Sequence, residues 1–219
     1  MFYTVMRGAT GNFQFAFGDV VYLMKMHDKG TQRKVGRPDI AFEVYKRASI
    51  ILLVTAWESY IEDTIRHVAA QRIRDASSPS AMPKAFNACA QAWLGDSPKP
   101  TELQEWTGDG WRDVLSKRLA KEVSSLNTPN SENIKHLTVR YLGFDLTEKW
   151  CWPSTSSKMA TTKLDKLIEL RGKLVHRGKD VFSSSPVKRA DVEEGMELVK
   201  RLVKHTDLAL PVSSKAAAQ

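Results

Sequence analysis

Apolar residues along this chain recur at intervals of three and four, with polar and charged residues between them. This is the pattern of helices that bury one face. No segment alternates strictly enough for a strand, so the pattern predicts an all-α protein. The most continuous helix is predicted over 38–75. Pro38 suits a first helical position and Asp39 adds favourable charge to the first turn; Val44, Ala48, Ile51, Thr55, Ile65 and Val68 then keep the helical spacing. An earlier helix, capped by Asn12, is predicted to run toward Asp28, ahead of a loop rich in glycine and cations. Residues 77–83 break the pattern. Residues 84–94 and 110–125 read as short helices around a loop holding Gly95, Pro98, Pro100 and Gly108, and Ser131 as the cap of another helix over 131–142. A Trp-rich turn at Trp150, Trp152 and Pro153 leads into a strongly patterned helix over 157–176. A loop of glycine, serine and proline then precedes a last helix, which opens at Asp191 with Glu194 as a capping-box partner and closes near Asp207. The reading is one domain over 1–210, a Trp-rich helical insertion over about 84–150, and a disordered tail at 211–219.

Two of these helices carry a charge on the apolar face. At roughly 100° per residue, Leu164, Leu167, Ile168, Leu174 and Val175 all fall within about 60° of Arg171. An unpaired guanidinium in a core costs several kcal/mol, so Arg171 needs an acidic partner or a crevice that holds an anion. Glu58 stands in the same relation to Val44, Ile51, Val54, Ile61 and Ile65. Opposite charges on two buried stripes suggest that the helices meet there, with Glu58 close to Arg171 or His176. A structural salt bridge and a functional anion site both remain open at this point.

Composition changes the picture little. The chain has 219 residues, 42% hydrophobic and 26% charged, as in ordinary globular proteins. No apolar run approaches the ~20 residues of a membrane span, and no secretory leader is seen, which predicts a cytoplasmic protein. Cys89 and Cys151 stand apart without metal-ligand spacing and read as buried free thiols. The net charge of +8 suits a phosphate-rich partner, and 158–204 holds 12 Lys and Arg against 7 Asp and Glu. His27, His67, His136 and His205 share no spacing and read as structural or surface residues; tryptophans such as Trp57 and Trp93 read as core.

Residues 171–178, RGKLVHRG, resemble the R-x4-H motif of HEPN ribonucleases, with an apolar pair before the histidine and a glycine after. The motif ends the penultimate helix, as it does in HEPN domains. The segment Ile51-Leu52-Leu53-Val54-Thr55-Ala56-Trp57-Glu58-Ser59-Tyr60-Ile61-Glu62 resembles the long helix of the RiboL-PSP and MAE-type HEPN families. The resemblance covers 38–75 and 157–208. It implies a HEPN-like helical bundle forming a symmetric dimer, and an endoribonuclease of the toxin or phage-defence kind. Such enzymes use no metal and no cofactor. The RNA's own 2′-hydroxyl attacks, leaving a cyclic phosphate and a 5′-hydroxyl. On this reading Arg171 and His176 are catalytic with Glu58 beside them, and Lys173, Arg177 and Lys179 ring the cleft for the RNA backbone. Many active members carry a polar residue after the arginine; here it is Gly172, which fits close approach at a dimer seam. That departure favours the alternative, a non-catalytic HEPN dimer serving as an RNA-binding or scaffold module. The candidate partner is an antitoxin on the nuclease reading and a nucleotidyltransferase on the non-catalytic one. Five residues on a helix turn about 140° and rise ~7.5 Å. Arg171 and His176 therefore meet only if the helix unwinds near His176 or if two motifs converge across a two-fold axis.

Overall fold

A computed structural model describes residues 2–31, 40–95, 99–126, 128–176 and 186–210. Among them are eight α-helices: α1 (Phe2–Thr31), α2 (Ile40–Asp75), α3 (Lys84–Leu94), α4 (Pro100–Glu105), α5 (Gly110–Ser124), α6 (Ser131–Leu142), α7 (Ser157–His176) and α8 (Arg189–Ala209). The described residues form no strand, only an isolated bridge between Trp152 and Thr155. Periodicity located α2, α3, α5, α6 and α7 closely.

Other boundaries differ for local reasons. Helix α1 begins at Phe2, so Asn12 is an interior residue and caps nothing. The helix runs through Gly8 and Gly11 because buried Ala9, Phe13, Val20 and Met24 keep one face apolar. The short helix α4 was not expected. Asn130 rather than Ser131 caps α6, its side chain accepting from the Asn133 backbone N–H at 2.9 Å. Helix α8 starts at Arg189, two residues before Asp191, and the Asp191 carboxylate instead accepts from the Lys188 N–H at 2.8 Å. Cys151 is exposed, not buried. Pro38, Asp39 and the tail 211–219 lie outside the described residues.

The chain divides into two compact units, 1–60 with 150–219, and 61–149. In the first unit α8 is the central element. A Cβ placed on Gly195 would stand 3.1 Å from Leu53 of α2 and 3.2 Å from Leu167 of α7, so the absence of a side chain brings three helices together. Trp57 and Trp150 are fully buried and meet edge to face, 5.7 Å between centroids at 72°. The Trp150 indole N–H donates to the Thr206 hydroxyl at 2.9 Å. The Tyr60 hydroxyl donates to the Asp207 carboxylate at 2.6 Å and Thr10 does so at 3.3 Å. Burial nonetheless raises the Asp207 pKa against these two hydrogen bonds. Arg189 grips both oxygens of Asp28 at 3.0 Å, tying α1 to α8 and holding the Asp28 carboxyl below its ordinary range.

The 150–156 segment ends in a tight turn. The Thr155 N–H donates to the Trp152 carbonyl at 2.9 Å and the Trp152 N–H to the Thr155 carbonyl at 3.0 Å. Pro153 in the second position and Ser154 at φ 68° in the third match a type II turn. A left-handed conformation costs a side-chain-bearing residue roughly 1–2 kcal/mol, partly offset in a glycine variant by the freer unfolded chain. Ser154→Gly is therefore expected to stabilise the protein by up to about 1 kcal/mol. An unchanged or lowered denaturation midpoint would contradict a strained turn.

The second unit holds the end of α2 and α3–α6. Phe86 and Tyr141 pack with ring centroids 5.9 Å apart, and Arg72 donates to the Leu142 carbonyl at 2.7 Å. Gly143, at φ 78°, ends α6 in the left-handed cap that glycine adopts at least cost. Arg112 donates to the Ala76 carbonyl at 2.6 Å and Arg140 pairs with Glu122 at 2.6 Å, so polar groups as well as the apolar core tie this unit together.

Candidate active site

Helix α7 presents Arg171 as its periodicity predicts. Leu164, Leu167, Ile168 and Leu174 around it are buried. Val175, one turn on, is 48% exposed, so the stripe opens to solvent there and Arg171 is only half-buried. Its Nε is buried and has no hydrogen-bond partner. Glu58 is also half-buried, at the border of its stripe: Val54 on one side is buried, while Thr55 and Ser59 on the other are exposed. Burial pushes the Glu58 carboxyl pKa up, and the charge of Arg171 pulls against that rise. The two helices therefore do bring these charges together. The coupling acts through space, however, and no direct ion pair joins them among the described residues. The border position of Glu58 accounts for this, because solvent screens half of the carboxylate.

The remaining motif residues stand in the open. His176 is exposed and α7 stays helical through it, so unwinding does not bring it round to Arg171. With ~140° between them, the two side chains leave α7 in different directions. A Cβ on Gly172 would meet nothing within 4 Å, so no element of the same chain explains that glycine among the described residues. Lys173 pairs with Glu169 at 2.7 Å, one helical turn back. Arg177 and Lys179 lie outside the described residues. Val44 is exposed and so belongs to the outer surface of α2 rather than to the stripe of Glu58. Of the other histidines, His27 is buried against Asp28, and His205 lies against the Trp152 ring, 5.3 Å between centroids. Among the described residues no three His, Cys, Asp or Glu side chains gather to hold a metal ion.

The raised Glu58 pKa has a consequence with a definite sign. The native state holds this proton more tightly than the unfolded chain, so the contribution is most favourable when Glu58 is protonated. It declines as pH rises from the ordinary carboxylate value through the raised one. Glu58→Gln cannot ionise and is expected to gain stability relative to the parent across that window. Denaturant midpoints of both proteins from acid to neutral pH check this; a difference that is flat with pH would place the carboxylate in bulk solvent.

The model of one protein family, RiboL-PSP-HEPN, matches residues 25–211. The chain belongs to the RiboL-PSP-HEPN family. The matched span holds α2–α8, and with them Glu58, Arg171 and His176. Comparisons with curated proteins and with solved structures gave no match. HEPN domains are generally RNases and bind RNA, so membership ties this RiboL-PSP-HEPN protein to RNA-related function. No helix among the described residues is long and apolar enough to cross a membrane.

Proposed function

We propose that this protein is a dimeric, metal-independent endoribonuclease of the toxin or phage-defence kind. The observation that carries the reading is Arg171: a guanidinium on an apolar stripe, half-buried, with an orphaned Nε and no direct carboxylate partner among the described residues. Such a group retains its fork of donors for an anion, and its planar geometry suits phosphate oxygens. Glu58 tempers the local charge without occupying those donors.

Cleavage follows from the residue types. His176, an exposed imidazole, takes the proton of the RNA 2′-hydroxyl as that oxygen attacks the adjacent phosphorus. Arg171 stabilises the charge that gathers on the phosphorane oxygens. The P–O5′ bond breaks, the leaving oxygen takes a proton back from the imidazolium, and a 2′,3′-cyclic phosphate and a 5′-hydroxyl result. Because α7 is helical to its end, one chain does not supply both groups to one phosphate. Two copies of α7 facing across a two-fold axis do, with the bare Gly172 and exposed Val175 at the seam. Lys173, Arg177 and Lys179 would line the same cleft.

The second reading is a dimeric RNA-binding or scaffold module without catalysis, with a nucleotidyltransferase as partner; Gly172, where many active members have a polar residue, favours it. Incubation of the purified protein with total RNA separates the two. Cleavage products ending in cyclic phosphate, absent with Arg171→Ala, support the nuclease. RNA binding without cleavage supports the module.

A further inference from the structure

Against α7, α8 and the Trp152–Thr155 turn lies a cavity of about 520 Å³, within the range of small-molecule sites. Its walls differ in charge. Helix α7 contributes Lys163 and Lys166 above Leu167 and Leu170, which share one face by their helical spacing. Helix α8 contributes Leu198 to the floor, and Asp191, Glu194, Glu197 and Arg201 to a largely acidic rim. Two carboxylates of that rim are already engaged, Asp191 with the Lys188 N–H and Glu197 with Arg201 at 2.7 Å. Glu194 has no such partner among the described residues. The third side is Trp152, backed by His205 and fixed by the doubly bonded turn with its left-handed Ser154.

Each wall asks for a different part of one ligand. An indole held rigidly at a cavity mouth offers a stacking surface to a planar heterocycle. Two ammonium groups on the facing wall attract a phosphate. An unengaged carboxylate opposite them accepts hydrogen bonds from N–H groups and repels a second phosphate. A purely anionic ligand would meet Glu194 unfavourably, and a purely apolar one would leave the lysines unused.

We propose that this cavity is a nucleotide subsite, taking a nucleoside monophosphate whose base carries an exocyclic amine: adenine, guanine or cytosine in preference to uracil. The base lies on Trp152 with its amine toward Glu194, and the phosphate lies toward Lys163 and Lys166. The nucleotide is supplied free or as one residue of a bound RNA. The second source rests on the nuclease reading, on which the subsite seats a nucleotide near the scissile phosphate, since Leu170 of the cavity adjoins Arg171.

The test is calorimetric titration of the whole protein with AMP, GMP, CMP and UMP, alongside RNA cleavage by the same variants. The amine-bearing nucleotides are expected to bind about tenfold more tightly than UMP, the discrimination one well-placed base-edge contact supplies. Glu194→Gln is expected to narrow that preference. Lys163→Glu with Lys166→Glu, both on exposed positions, is expected to weaken AMP about tenfold, with an unchanged thermal melt. Trp152→Phe should keep binding that Trp152→Ala loses. AMP binding with cleavage unaltered by the variants assigns the site to free nucleotide; a shifted cleavage pattern assigns it to RNA. If no monophosphate binds and the variants cut the same positions as the parent, the subsite is overturned while the nuclease stands. If AMP binds and the parent cuts no RNA, the nuclease reading fails and the subsite remains.

Discussion

Arg171→Ala and His176→Ala are each expected to lower RNA cleavage by at least about 100-fold, the usual worth of a general base or of one donor to a developing oxyanion. Neither should unfold the protein. His176 is exposed, and exposed substitutions away from special features stay within about 0.5 kcal/mol. Among the described residues Arg171 forms no direct ion pair to break, and its removal relieves a buried, unpartnered Nε. Mixing the two inactive variants gives the sharper result. If each site draws Arg171 from one subunit and His176 from the other, a mixed dimer has one intact site of two. Half of randomly reassorted dimers are mixed, so activity should return to about a quarter of the parent. A mixture as inactive as its parts places both residues in one subunit's site, and the continuous α7 would then need a different explanation. Full activity in His176→Ala would remove the histidine from the mechanism altogether.

The largest effect on stability is expected far from the motif, at Trp150. Truncation to alanine removes a fully buried indole, its edge contact with Trp57, and the donor to Thr206. Large aromatic truncations in cores cost about 3–5 kcal/mol, and the orphaned, fully buried Thr206 hydroxyl adds about 1 kcal/mol or more. Typical total stabilities are only about 5–15 kcal/mol, so Trp150→Ala should leave the protein marginally folded. Trp150→Phe keeps much of the ring and should lose less than half as much. Denaturant titration of the three proteins checks the order. A Trp150→Ala midpoint matching the parent would mean that the 150–156 segment is not part of the core.

Trp150 also shows where sequence reading stopped. The W-C-W-P cluster was legible as a turn, but nothing in its spacing says that Trp150 turns inward onto α8, 56 residues away, while Trp152 lines a cavity. The long periodic helices could be read because their evidence is local: Val54 and Trp57, or Leu164, Leu167 and Ile168, repeat within a few turns. Helix α1 resisted because Gly8 and Gly11 weaken the helical signal, and Asn12 supplied a plausible but false cap. At the candidate site the anomaly of a charge on an apolar stripe singled out Arg171 and Glu58, and the two charges do act on one another. Helical angles alone did not reveal that both stripes open toward solvent, which turns an expected ion pair into a weaker coupling. The grouping of Lys163, Lys166, Glu194 and Trp152 was not legible because three separate segments supply it, and each residue alone reads as ordinary surface.

The arrangement of the tryptophans also decides what light can report. Trp57, Trp150 and Trp111 are sealed from water, whereas Trp152 is half-exposed beside the cavity. Indoles in an apolar surround emit at shorter wavelength than wet ones, and a dissolved quencher reaches only the latter. Excitation also passes readily between the adjoining rings of Trp57 and Trp150. The folded protein should thus emit mostly in the blue, with a smaller red, quenchable component in which Trp152 takes part. A ligand seated on Trp152 would shield that component alone, whereas loss of the core would shift the whole spectrum, so one cuvette distinguishes occupancy from unfolding.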